Sequence, residues 1–203
     1  MKAEERALLI DFDGVLRHFP RQCELAPGVP EAALRAAALA PEHIGAAITG
    51  RVSDEQWRAQ VIERLAERFP RALAMAAVRR WSAQVGELDQ AALALVQQVR
   101  SWAKVVLVTN ATTRLSADLA RLGLEQAFDA VVNSSEVGSA KPNARIFQVA
   151  LERAGVDRAR SLFVDDMRGH VEAARALAIP ALHFSGVDAL RTAIEQQLRP
   201  DGP

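Results

Sequence analysis

Four short apolar runs in this chain carry no polar interruption: Ala7–Ile10, Val105–Val108, Ala130–Val132 and Leu162–Val164. A strand with one solvated face alternates apolar and polar positions, so an unbroken run of leucine and β-branched residues predicts a strand buried on both faces, as in a parallel sheet. A fifth run, Ala181–Phe184, follows Pro180 and predicts an edge strand. Between the runs, apolar residues recur three and four apart. Leu88, Ala92, Leu95, Val99 and Trp102 form one such stripe; Leu115, Leu119 and Leu122 form the next. Further stripes are Ile146, Phe147, Ala150, Leu151 and Ala154, then Val171, Ala174 and Leu177, then Val187, Leu190, Ile194 and Leu198. Strand followed by helix, repeated, predicts an α/β fold: a doubly wound parallel sheet with right-handed crossovers.

One stretch breaks the alternation. Residues 20–86 contain no strand pattern but several helical runs rich in alanine and leucine, including Glu31–Leu39 and Ser53–Arg68. The expected division is a catalytic core over residues 1–19 and 87–203 and a small α-helical cap over residues 20–86. An insert placed after the first strand emerges at the carboxyl end of the sheet, where open α/β sheets bind ligands, and a helical lid there excludes water. The alternative is that these helices extend the core.

Bulk properties narrow the partners. Half of the 203 residues are apolar, enough for one core and a smaller appendage. Lys plus Arg and Asp plus Glu balance at 25 each, so no overall field draws the chain to nucleic acid or an anionic membrane. Met1–Arg6 mixes charges of both signs with no long apolar run before Asp11, which predicts neither a signal peptide nor a membrane span. A single cysteine, Cys23, offers no internal disulfide and fits a reducing, cytoplasmic setting. The tail Arg199–Pro203 reads as disordered. The oligomeric state, monomer or homodimer, is left open.

The acidic residues fall where chemistry is expected. Asp11 and Asp13 follow the first strand, and Asp165 and Asp166 follow Leu162–Val164. Those strand ends are adjacent in a parallel sheet, so the carboxylates converge on one small volume and repel one another unless a cation or a shared proton intervenes. Hard oxygen ligands without neighbouring His or Cys favour Mg²⁺ over zinc. After the strand Val105–Val108 come Thr109 and Asn110, a hydroxyl and backbone amides able to cradle phosphate oxygens, or ordinary turn residues. Lys141, before Pro142 and a helix beginning near Ala144, offers a fixed positive charge. No G-x-G-x-x-G follows the first strand and no Walker A loop is present, which disfavours a dehydrogenase or a kinase.

These residues carry a family resemblance. Leu9-Ile10-Asp11-Phe12-Asp13-Gly14-Val15-Leu16 resembles the first motif of the haloacid dehalogenase superfamily, Val108-Thr109-Asn110 the second, Lys141-Pro142 the third and Phe163-Val164-Asp165-Asp166 the fourth. The resemblance implies a Rossmann-like core and a Mg²⁺-dependent phosphatase acting on a small-molecule phosphate ester through an aspartyl phosphate. In that scheme Asp11 is the nucleophile and Asp13 the general acid and base, with the higher pKa of the two. Thr109 and Asn110 bind the phosphoryl group, and Lys141 stabilises both nucleophile and phosphate. Asp11, the Asp13 backbone carbonyl and Asp166 ligate the metal, with Asp165 at or just outside its ligand shell. Retention of Asp13 favours phosphoryl transfer over dehalogenation, because halide departs without a proton. His170 stands where many relatives have Asn or Asp, either supporting Lys141 or the metal or simply filling a helix turn.

The lid resembles the caps of members acting on sugar phosphates through Gly50–Trp57, although Ser53 and Gln56 there also read as a helix capping box. Arg17, His18, Arg79, Arg80 and Trp81 are candidates to touch the leaving group. Two alternatives keep the same motifs: a phosphomutase, and a silent binding or regulatory module.

Overall fold

Leu8, Leu9 and Ile10 have no exposed surface, so β1 (Ala7–Ile10) is buried on both of its faces. The computed structural model describes residues 5–19 and 28–199. Cys23, residues 1–4 and the tail at 200–203 lie outside the described residues. After β1 come β2 (Arg17–His18), then four helices, α1 (Glu31–Leu39), α2 (Pro41–Ile48), α3 (Asp54–Ala66) and α4 (Arg71–Ala83). The chain continues through β3 (Glu87–Leu88), α5 (Gln90–Arg100), β4 (Lys104–Thr109), α6 (Leu115–Arg121), β5 (Ala130–Asn133), α7 (Ser134–Val137) and α8 (Ala144–Ala154). It ends with β6 (Ser161–Asp165), α9 (Arg168–Ala176), β7 (Ala181–His183) and α10 (Val187–Gln197).

The main sheet is parallel with strand order β5-β4-β1-β6-β7, which puts β7 at an edge as Pro180 predicts. Side chains alternate across it. Leu8, Ile10, Val105, Leu107, Leu162 and Val164 pack on the layer that includes α5 and α10, while Ala7, Leu9, Val106, Val108 and Phe163 pack on α8 and α9. Phe147 of α8 meets Phe163 edge-on at 5.1 Å, the preferred aromatic geometry. This is the α/β doubly wound sheet that the apolar runs predict.

The four helices from Glu31 to Ala83 bury a core of their own around Leu34, Trp57, Val61, Leu65 and Val78. Trp57 meets Trp81 edge-on at 5.4 Å and donates its indole N–H to the Ala38 carbonyl, which ties α3 to α4 and to the end of α1. Ser53 and Gln56 form the reciprocal capping box at the start of α3. The chain leaves and rejoins the sheet through an antiparallel ribbon, Arg17 with Leu88 and His18 with Glu87. That ribbon corrects one helical stripe: Leu88 belongs to β3, because the Asp89 side chain accepts the Ala92 N–H and starts α5 only after it. Trp102, at the other end of the stripe, lies beyond α5 and is 40% exposed.

The helical layer is latched to the sheet side by side chains rather than by apolar packing alone. The Thr112 hydroxyl donates to Asp54 Oδ1 at 2.7 Å, and the Asp54 N–H donates to the Thr113 hydroxyl at 2.9 Å. Asp54 also pairs with Arg58 at 2.5 Å. Gly50 sits so close to the Ser135 carbonyl that a Cβ would come within 2.0 Å of its oxygen, and its φ of +70° is itself unfavourable for other residues. Asp54→Ala removes the ion pair and the Thr112 bond while leaving the backbone bond to Thr113. A loss of about 2 kcal/mol in urea unfolding is expected, in the range of charge-assisted bonds. An unchanged midpoint would rule out the latch.

Candidate active site

The site forms at the carboxyl ends of β1, β4 and β6, which are neighbours in the sheet. Asp11 directly follows β1, Thr109 ends β4 and Asp165 ends β6, so the three are brought together by strand order alone. Asp11 and Asp165 are buried and Asp166 is exposed; one carboxylate oxygen from each lies within 4.8 Å of the others. Oxygen-only donors at this spacing suit a hard divalent cation of the Mg²⁺ type.

Lys141 organises the cluster. Its ammonium donates to Asp165 Oδ2 at 2.6 Å and to the Val108 carbonyl at 2.9 Å, and pairs with Asp11 Oδ1 at 2.8 Å. The side chain has no exposed surface and lies against the Phe163 ring. Asn110 fixes the backbone beneath it: the side-chain oxygen accepts the Lys141 N–H at 2.7 Å and its NH₂ donates to the Lys141 carbonyl at 2.9 Å. The Asn110 side chain is therefore committed to Lys141. Thr109 is 1% exposed at the floor of the site.

Burial pushes the Asp11 carboxyl up to about 7, with Asp165 adding to the rise and Lys141 opposing it. A divalent cation beside the carboxylate draws such a value back down. Burial acts on Asp165 in the same upward sense, but the bonds from His170 and Lys141 outweigh it and hold the carboxyl below its usual range. Asp166, though exposed at its outer side, is raised by partial loss of solvent and by the neighbouring Asp165.

Asp165 is the most heavily bonded of the acids. Besides Lys141 it accepts the Met167 N–H at 2.8 Å, and His170 Nδ1 lies 3.1 Å from both of its oxygens. Its lone pairs are largely engaged within the protein. His170, in the first turn of α9, thus has a defined partner and is not merely filling a turn.

Asp13 points into a different environment. Arg17 Nε and Nη2 bind its two oxygens at 2.6 and 3.0 Å, and the Asp13 side chain remains 44% exposed. The same guanidinium lies over the Phe12 and Phe19 rings and reaches Asp118 at 3.5 Å. Asp13 and Arg17 face a cavity of about 770 Å³ between sheet and helical layer, which Asn110, Trp57 and Trp81 also line. Of the leaving-group candidates, Arg17 and Trp81 reach it. His18 is exposed near Asp89, Arg79 borders a separate shallow depression beside Ile62 and Met75, and Arg80 is exposed. Helix geometry explains the split: on α4, Arg79 and Arg80 turn outward while Trp81 turns to the cavity.

The model for haloacid dehalogenase-like hydrolases matches residues 5–177. The chain belongs to this family. A pyrimidine 5′-nucleotidase of Escherichia coli is 47% identical over 77 residues, 37% of this chain and 34% of that protein. The chain thus spans about a third of the length of that curated relative. Among solved structures, a haloacid dehalogenase family enzyme from Bacteroides thetaiotaomicron in complex with magnesium and inorganic phosphate superimposes with a TM-score of 0.69 at 19% identity, covering 89% of this chain and 94% of that one. The L-2-haloacid dehalogenase of Xanthobacter autotrophicus superimposes with a TM-score of 0.63 at 21% identity, covering 95% and 82%. These likenesses speak to fold, and one fold hosts both names.

Within the haloacid dehalogenase-like fold, three features escaped the sequence. Gly14 has φ +88°, and a Cβ there would fall 2.2 Å from Asp166 Oδ2, so only glycine leaves that carboxylate its place. The D-x-D-G run contains this glycine, but nothing in the run names the carboxylate it clears. The Arg17–Asp13 pair has an i, i+4 spacing that signals contact in a helix, and here arises in a turn. The His170 contact needed the position of Asp165. Among the described residues no helix is long and apolar enough to cross a membrane.

Proposed function

We propose that the protein is a Mg²⁺-dependent phosphomonoester hydrolase that works through an aspartyl phosphate on Asp11. The observation that carries this reading is the Lys141 ammonium held between Asp11 and Asp165, with Asp166 beside them. It leaves one oriented, buried carboxylate next to a cluster whose oxygens suit a divalent cation. The named activity of the nucleotidase relative and the magnesium and phosphate bound by the Bacteroides enzyme support the same chemistry.

Asp11, Asp166 and the Asp13 carbonyl would hold the metal, which supplies charge neutralisation for the nucleophile and the phosphoryl oxygens. Asp165 would act through Lys141 rather than as a ligand, since its oxygens already accept Lys141, His170 and the Met167 N–H. Lys141 orients Asp11 for in-line attack. An Asp11 oxygen bonds to phosphorus as the ester P–O bond breaks, and the departing alkoxide takes a proton from Asp13. Water then attacks the phosphorus of the acyl phosphate, Asp13 takes its proton, and inorganic phosphate leaves with Asp11 restored. Thr109 and the backbone that follows it hold the phosphoryl oxygens. Arg17 holds both Asp13 oxygens, so protonating the leaving group requires Asp13 to exchange Arg17 for it.

The helical layer would act as a cap that closes the cavity over the ester, with residues 20–86 as the inserted unit. The test is phosphate release from a broad panel of monoesters with Mg²⁺ or EDTA. Release is expected only with the metal, and Gly14→Ala is expected to raise the Mg²⁺ concentration for half-maximal rate at least tenfold by displacing Asp166. Equal rates in EDTA would defeat the metal assignment.

A further inference from the structure

The cavity that Asp13 faces is large, and its charges are already matched. Arg17 is bound by Asp13 and Asp118, and Arg114 by Asp118 at 3.0 Å. Arg58 is bound by Asp54 at 2.5 Å, and the more exposed Arg35 faces Glu31 at 3.8 Å. Among the described lining residues, every arginine therefore has a carboxylate partner, four of one sign against four of the other. The rest of the wall is uncharged: Gln84, Asn110 and Thr112 are polar and the others apolar or aromatic. Leu34, Leu39, Ile44 and Ile48 come from α1 and α2, and Trp57 and Trp81 face inward beside them.

This inference rests on the hydrolase reading, because an ester with its phosphorus at Asp11 has its alcohol part beside Asp13, in this cavity. We propose that the cavity selects phosphate monoesters whose alcohol part is uncharged and carries a ring or compact apolar body, and rejects those bearing a second anionic group. A second phosphate or carboxylate would lose its water in a space where each cation is held by an acid, and would meet Asp13, Asp54 and Asp118 as like charges. A ring gains contact with the two tryptophans and the aliphatic wall at no such cost. A volume of about 770 Å³ suits an alcohol of one or two rings rather than a triose. A phosphomutase must place the second phosphate of a bisphosphate in this same space, so the matched charges favour hydrolysis over mutase chemistry.

The probes are phenyl phosphate and 4-carboxyphenyl phosphate, which differ by one distal carboxylate. Binding of each to the full-length Asp11→Asn variant in Mg²⁺ is followed by tryptophan fluorescence, which needs no turnover. Phenyl phosphate is expected to bind at least tenfold more tightly, and Trp81→Phe in the same background is expected to weaken it severalfold. Asp118→Asn, which removes the acid shared by Arg17 and Arg114, is expected to narrow the ratio at least threefold. A ratio near one, an inverted ratio, or no binding of either probe overturns the proposal. Wild-type phosphate release from phenyl phosphate is measured alongside: preferential binding without release counts against the hydrolase reading and leaves the cavity preference standing.

Discussion

Asp11→Asn is expected to lower phosphate release by about 10⁴-fold or more, the scale seen when a nucleophile is removed from a working site, without loss of fold. The amide keeps the size of the carboxylate and one oxygen for Lys141, so packing around a residue only 6% exposed is preserved. It removes a charge that the folded chain holds at a cost. Because burial raises the Asp11 carboxyl from 3.8 to about 7, stability in EDTA falls as pH rises through that window and the group ionises in a place that disfavours it. The Asn variant escapes that loss. Its melting temperature in EDTA should match wild type near pH 4 and exceed it above pH 7. A variant that is inactive because it is unfolded would show no cooperative melting at either pH.

Lys141→Met is expected to damage both fold and activity. Methionine fills much of the same volume, yet two buried carboxylates then face each other without the ammonium that bonds both, and the Val108 carbonyl loses its donor. Removing one partner of a buried ion pair costs about 3–5 kcal/mol. The cost should shrink in acid. Asp165 is held below its usual pKa, so the stability it contributes is present above its unfolded value and is lost as pH falls through the folded one. Asp11, already raised, takes up a proton first. Urea midpoints at pH 7.5 and pH 5 test the cost and its relief through Asp11, whereas the Asp165 contribution is lost only at lower pH. An equal loss at the two pH values would mean that Lys141 acts through packing rather than charge.

The parts of this molecule legible in the sequence are those set by neighbours in the chain or by burial on two faces. Leu8-Leu9-Ile10 announces a central strand because both faces are covered, and Asp11 announces the site because it follows that strand directly. The Ser53–Gln56 capping box is legible for the same reason, its partners lying within one helical turn. The ribbon of Arg17–His18 with Glu87–Leu88 is too short for any periodicity to register, so Leu88 reads as helix until its partner is seen. Asp54 with Thr112, His170 with Asp165 and Gly14 with Asp166 depend on how separate elements dock. Asp13 illustrates the difference: its presence predicts an acid and base, while its engagement by Arg17 is a property of the folded turn.

The most direct test is chemical trapping of the proposed intermediate. Enzyme turning over phenyl phosphate with Mg²⁺ is quenched in acid and reduced with borohydride, which converts an acyl phosphate to an alcohol. Peptide mass spectrometry is expected to find homoserine at position 11, absent without substrate and absent in Asp11→Asn. Steady phosphate release with an unmodified Asp11, or with the reduced residue at Asp13, Asp165 or Asp166 instead, would contradict the account.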